Sequence, residues 1–271
     1  MNPLISVLIV NYNSSQFVAN TINCLDRITK NPYQIFILDN NSKEKDYTNL
    51  KRVTSYFKNI FLERTLTNLT GSQAHGTALN HLVKKVATPY FSILDADATW
   101  LRKNWDDILI NKLNHKVKII GTQADGPIKP QDFPLIYACL IETKTFKNLK
   151  IDLCPSNLLK HEDTGFDMRQ KYLQAGYKGT VLKIENTRFF KNGPFRRLTG
   201  IGEYYLNKEL FASHFGRGSS LGSAKYRKSW KKYLYKIPKI GNWLIKQKGE
   251  KEKKQWILIC KNIIDKQIKN D

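Results

Sequence analysis

Across the first hundred residues, short apolar runs of strand length alternate with segments whose apolar residues recur at helical spacing, and this alternation leaves few folds open. Ile5 to Val10 reads as a buried strand, and Val18, Ile22, Leu25 and Ile28 form a helical stripe behind Ser14 or Ser15 as an N-cap. Ile35 to Leu38 is a second strand that runs into the turn formers Asp39, Asn40, Asn41 and Ser42. Lys43 to Phe57 follows as a helix and Ile60 to Leu62 as a short strand; a second helical stripe, Ala78, Leu79, Leu82 and Val83, is capped by Ser72. Tyr90 to Leu94 is a strand that ends at Asp95-Ala96-Asp97. Units of this kind build a mainly parallel sheet flanked by helices, and 271 residues suffice for one such core plus an appendage.

Downstream, Leu101 to Leu113 reads as a helix, Val117 to Gly121 and Tyr137 to Thr143 as strands, Asp163 to Gly176 as a helix and Thr180 to Glu185 as a strand. Residues 125–134 form an irregular loop, and residues 192–222 form a Gly-, Ser- and aromatic-rich region suited to contacting a substrate. The expected division is a domain of residues 1–222 followed by a basic, amphipathic helical extension of residues 223–271.

In open α/β sheets, ligands bind beyond the carboxyl ends of the strands. Three polar clusters fall there: Asn11-Tyr12-Asn13, Asp39, and Asp95 with Asp97. Two carboxylates a residue apart can face one hard cation whose other ligands are phosphate oxygens, although capping of a following helix remains open for this pair. Glu162-Asp163 reads either as a reactive carboxylate or as favourable charge at a helix N-terminus.

Taken in order, Ser6 to Asn13, Leu38 to Ser42, Leu94 to Asp97 and Glu162-Asp163 resemble the bacterial family 2 glycosyltransferases of the GT-A fold, a Rossmann-like architecture. The resemblance spans about residues 4–215. It implies a nucleotide-sugar donor, with Val10, Asn11, Tyr12, Asp39 and Asp95 at the nucleotide. UDP is favoured because Asp39 suits a pyrimidine imide, and dTDP offers the same edge. It further implies Asp97 and Asp95 on Mn²⁺ or Mg²⁺, Asp163 as the base of an inverting transfer, and Gly71, Ser72 and His75 near the donor sugar and diphosphate. His214 is placed to complete the metal shell, which favours manganese, or simply packs in a loop. Arg217 and the Gly/Ser run around it are candidates to close over the diphosphate.

The net charge of +22 calls for a polyanionic partner. From Lys225 onward, 15 Lys and Arg stand against 4 Asp and Glu. Between Tyr226 and Ile268, basic residues interleave with Trp230, Tyr233, Leu234, Trp243, Leu244 and Trp256, and Trp256, Ile259, Cys260, Ile263, Ile264 and Ile268 recur at helical spacing, so the extension either lies on an anionic membrane surface or packs on the domain. With no long apolar run and no signal peptide, the expected location is cytoplasmic, peripheral on the inner face of the membrane. A glycan or lipid-linked acceptor in surface polysaccharide assembly accounts for both features, and the extension is expected to be dispensable for donor chemistry. Nucleic acid is disfavoured, because the ordered carboxylates would repel its phosphates. Four scattered cysteines suggest neither disulfides nor a zinc site.

Overall fold

A computed structural model describes residues 2–126, 129–156, 162–221 and 240–269. Its strands are β1 (Ile5–Asn11), β2 (Tyr33–Asn40), β3 (Ile60–Thr65), β4 (Tyr90–Asp95), β5 (Ala98–Trp100), β6 (Val117–Thr122), β7 (Leu135–Glu142), β8 (Lys178–Asn186), β9 (Gly202–Leu206) and β10 (Glu209–His214). They form one sheet in the order β3-β2-β1-β4-β7-β6-β8-β9-β10-β5. The β3-β2-β1-β4 half is parallel, as the alternating pattern requires. Beyond it, β7 runs antiparallel to both β4 and β6, β8 lies parallel to β6, and β9, β10 and β5 continue from β8 antiparallel. The sheet is therefore mixed rather than purely parallel. The regular alternation of strand and long helix holds only for the first half; beyond it short helices, loops and a hairpin join the strands, and most neighbours pair antiparallel.

Helices cover both faces: α1 (Ser15–Ile28), α2 (Glu44–Thr54), α3 (Gly71–Lys85), α4 (Trp105–Ile110), α5 (Thr143–Asn148), α6 (Met168–Gln174) and α7 (Ile240–Lys269). One core lies under α1 and α7 and the other under α3 and α6. β1 contributes to both, with Val7 and Ile9 on one side and Leu8 and Val10 on the other, which is why its sequence is apolar without alternation.

Three local expectations are corrected. Ser72 lies inside the first turn of α3, where Thr70 is the N-cap, and its hydroxyl serves another purpose. The helix expected from Asp163 begins only at Met168, because Gly165 takes a left-handed φ of +75° that interrupts it. Residues 192–222 contain the β9–β10 hairpin, whose partner β5 is a three-residue strand too short to show a period.

The C-terminal helix decides between the two readings of its stripe. Trp256, Cys260 and Ile264 are fully or almost fully buried in the α1 core, and Trp256 packs edge-on against Phe17 and Phe215 with ring centroids at 5.7 and 6.1 Å. The indole Nε1–H of Trp256 donates to Ser213 Oγ at 2.9 Å. The stripe is thus core from Trp256 to Ile264, with Ile268 exposed at the helix end, and α7 is built into the domain it was expected to trail from. Tyr226, Trp230, Tyr233 and Leu234 lie outside the described residues. No helix among the described residues is long and apolar enough to cross a membrane.

Candidate active site

The carboxyl ends of β1, β2 and β4 point to one edge of the sheet, where two hollows meet. One, of about 400 Å³, is lined by Val10, Tyr12, Asn40, Asn41, Gly71 and His75 among others. The second, of about 220 Å³, is lined by His75, Asp95, Lys129, Tyr137, Asp163 and Thr164. His75 lines both, so the two hollows are neighbours.

Beneath the first hollow, Asn11 and Asp39 are fully buried. Asn11 Nδ2 donates to Asp39 Oδ1 at 2.8 Å and lies 3.1 Å from both Ser42 Oγ and Asp46 Oδ2. The Ser42 amide donates to Asp39 Oδ2 at 3.2 Å, and the Arg64 guanidinium stands 3.3 Å from the same oxygen. Asp46, on α2, accepts from the amide and hydroxyl of Ser15, so the first turn of α1 is capped from a neighbouring helix and not by Ser14. Of the nucleotide residues expected from sequence, Val10 and Tyr12 line the hollow, whereas Asn11 and Asp39 are fully buried and do not line it. A direct bond from Asp39 to a base therefore requires rearrangement around it.

At the next strand end the chain turns from β4 into β5, and Asp95-Ala96-Asp97 is the corner. The β5–β10 register sets Ala98 opposite His214, bringing residues far apart in sequence to one point. His214 Nε2 lies 3.2 Å from Asp97 Oδ1 and 3.6 Å from Asp95 Oδ2. Ligand atoms of Asp95, Asp97 and His214 fall within 4.8 Å of one another. Burial works to raise the Asp97 carboxyl, but the charge and hydrogen bond of His214 and the amides of Gly218 and Arg217 outweigh it and hold Asp97 below the usual carboxylate range. Asp95 has no such support. Burial pushes it up to about 6 against the pull of His75 and His214, and Asp97 and Asp163 add to the rise.

Asp95 Oδ1 is buried and has no hydrogen-bond partner among the described residues; His75 Nε2 is 3.7 Å away. A carboxylate oxygen without a donor, beside a second carboxylate and an imidazole, fits a divalent cation such as Mn²⁺ or Mg²⁺.

Asp97 is also held from behind. Its Oδ2 accepts from the amides of Arg217 and Gly218 at 2.8 and 2.7 Å. The backbone nest expected to bind a diphosphate is thus occupied by a carboxylate of the protein. The Arg217 guanidinium does not enter the hollows; it pairs with Glu252 of α7 at 2.8 Å and lies 3.9 Å over the Phe215 ring.

Asp163 sits across the second hollow. Its Oδ1 accepts from Ser72 Oγ at 2.6 Å and from the Thr164 amide at 2.8 Å, and its Oδ2 pairs with Lys129 Nζ at 2.7 Å. Burial would raise this carboxyl, and the bonds from Lys129 and Ser72 overcome that effect and lower it. Gly76 makes the approach feasible: a Cβ there would stand 2.6 Å from the Leu153 carbonyl, so only glycine lets α3 press against the segment that leads to Asp163. Because Asp163 is five residues before α6, helix capping does not account for it.

Sequence reasoning missed Lys129, which sits in a proline-rich loop, Tyr137, whose ring is 4.6 Å from that of His214, and Glu252. None carries a local motif; each is brought in by a distant pairing. His81 of α3 pairs with Glu63 at 2.8 Å.

The sequence matches the model of glycosyl transferase family 2 over residues 6–159, more than half of its length. The chain belongs to that family. Its fold is similar to that of mannosyltransferase PcManGT from Pyrobaculum calidifontis, solved with GDP-Man and Mn²⁺, at 13% identity and a TM-score of 0.53, covering 67% of this family 2 chain and 55% of that one. It is also similar to S. aureus TarS, at 15% identity and a TM-score of 0.50, covering 66% and 35%. The chain thus spans about half of the first structure and a third of the second, and the likeness extends to the GT-A fold. No curated protein sequence matches it.

Proposed function

We propose that this family 2 member is an inverting, metal-dependent glycosyltransferase that moves a sugar from a UDP- or dTDP-sugar to a hydroxyl of a glycan or lipid-linked acceptor at an anionic membrane surface. The observation that carries the reading is the Asp95, Asp97 and His214 cluster, in which Asp95 Oδ1 has no hydrogen-bond partner among the described residues and Asp95 shares a pocket with Asp163 that borders the first hollow at His75.

Val10, Tyr12, Asn40 and Asn41 hold the nucleoside, and the α3 N-terminus at Gly71 offers amide donors toward the diphosphate. Asp95, Asp97 and His214 hold Mn²⁺ or Mg²⁺, which when bound neutralises charge on the departing diphosphate as a Lewis acid. Asp163 takes the acceptor hydroxyl's proton. Oδ1 already accepts two donors and Oδ2 one, so Oδ2 retains the open position for that proton. The acceptor oxygen bonds to the anomeric carbon as the bond to the diphosphate oxygen breaks, and that electron pair leaves with the nucleotide. A single displacement of this kind inverts the anomeric centre. Lys129 keeps Asp163 ionised and ready to accept.

Calorimetric titration with UDP, dTDP and GDP, each with and without Mn²⁺, tests the reading. Metal-dependent binding selective for a uracil or thymine base supports it; metal-independent binding, or none, overturns it.

A further inference from the structure

With the Trp256–Cys260–Ile264 stripe turned into the core, the opposite side of α7 remains to be explained. It exposes Trp243, Leu258 and Ile268, 59%, 57% and 37% accessible. Trp243 and Leu258 face away from the core stripe together with the exposed Lys251, Lys254 and Lys261, and Ile268, one turn beyond Ile264, emerges beside them at the helix end. The acids of α7 do not offset those charges, because each pairs elsewhere: Glu250 with Lys253 at 2.8 Å, Glu252 with Arg217 at 2.8 Å and Asp265 with Arg27 at 2.6 Å. From residue 243 to 268 the stripe is about 38 Å long at the rise of an α-helix. The sequence just before it, residues 222–239, contains seven Lys and Arg and no Asp or Glu.

We propose that this outward stripe of α7 docks the protein on an anionic lipid surface, with the three apolar side chains entering the headgroup boundary and the lysines meeting lipid phosphates. Charge alone fits any polyanion. The apolar residues interleaved with it favour a lipid surface, since a nucleic acid backbone offers nothing for Leu258 or Ile268 to enter. The stripe belongs to a helix fixed in the catalytic domain, so docking sets the orientation of the domain on the membrane. The inference rests on the membrane part of the proposed function and is independent of the donor chemistry.

Flotation of the full chain with phosphatidylglycerol-containing vesicles, with pure phosphatidylcholine vesicles and with duplex DNA as competitor provides the test. Binding to the anionic vesicles is expected. Combined Lys251→Glu, Lys254→Glu and Lys261→Glu should weaken it at least about tenfold, and Leu258→Asp should weaken it several-fold. Mn²⁺-dependent nucleotide binding, measured on the same samples, should stay intact, which separates a failed docking surface from a failed donor site or a misfolded variant. Undiminished vesicle binding by the triple variant, no loss on Leu258→Asp, or tighter binding of DNA than of vesicles overturns the proposal.

Discussion

Around Asp39, one buried carboxylate meets Asn11, the Ser42 amide and Arg64, all supplied by the protein, whereas around Asp95 and Asp97 two carboxylates and an imidazole converge and one oxygen is left without a donor. Both clusters lie at strand ends of one sheet and are built on aspartates. The first is complete as it stands and ties β1, β2, β3 and the entry of α1 together. The second balances its charges only with something added, since two carboxylates this close repel and Asp95 Oδ1 has no hydrogen-bond partner among the described residues. Stability resides in the closed cluster and ligand binding in the open one.

Asp97→Ala should break the comparison most severely. Loss of a partner behind a metal ligand typically costs about 10–100-fold in affinity, so loss of the ligand itself should exceed that and abolish Mn²⁺-dependent nucleotide binding. Calorimetry with and without Mn²⁺ reads this directly; undiminished metal dependence would remove Asp97 from the cation site.

Asp163→Asn should leave that binding unchanged and lower turnover by about 10²–10⁴-fold, the range for a positioned base. Near-normal turnover would mean that another group takes the proton. Lys129→Met refines the same prediction. Lys129 holds the Asp163 carboxyl below its ordinary value, so the ionised form survives until the pH falls through that lowered value. Without Lys129 the carboxyl moves back up, and the acid limb of the pH–rate profile should shift to higher pH. An unmoved limb would show that Lys129 does not face the base during turnover.

Glu252 links the open cluster to α7. The chain of contact runs from Glu252 to the Arg217 guanidinium, and from the Arg217 and Gly218 amides to Asp97 Oδ2, leaving Oδ1 for His214. Glu252→Ala removes the carboxylate facing a buried guanidinium, a change of the kind that costs about 3–5 kcal/mol. It should also weaken Mn²⁺ binding by about 10–100-fold, as for a residue that orients a ligand. Thermal unfolding and Mn²⁺ titration together test it: lost stability with unchanged metal affinity would reduce Glu252 to packing. On the same grounds, removing the C-terminal helix should unfold the domain and not merely free it from membranes, because Trp256 fills the core beside Phe17 and Phe215.

What the sequence made legible was local. The β1 run, the Asp39 turn and the Asp95–Asp97 corner each lie on one continuous segment, and their order alone indicated the family. What it hid was pairing at a distance. His214 reaches Asp97 only through the β10–β5 register across 117 residues, and Lys129 reaches Asp163 across 34. The α7 stripe showed amphipathicity correctly, but a period states only that one face is apolar and not whether protein or lipid covers it. For Arg217, the residue type suggested an anion and the structure supplied one, the carboxylate of Glu252 in place of a diphosphate.

The smallest effect is expected in the closed cluster. Asp46 accepts from Asn11 Nδ2 and from the amide and hydroxyl of Ser15, so Asp46→Ala leaves the α1 entry without its cap and part of the Asn11 amide without a partner. Neutral loss of such bonds costs about 1–3 kcal/mol, and water can replace some of them because the site is only partly buried. Thermal unfolding should therefore report a modest drop while Mn²⁺ affinity stays at its wild-type value, since Asp46 touches none of Asp95, Asp97 and His214. If Mn²⁺ affinity fell in step with stability, the two clusters would be coupled through β1, and the division between a closed structural network and an open binding one would have to be given up.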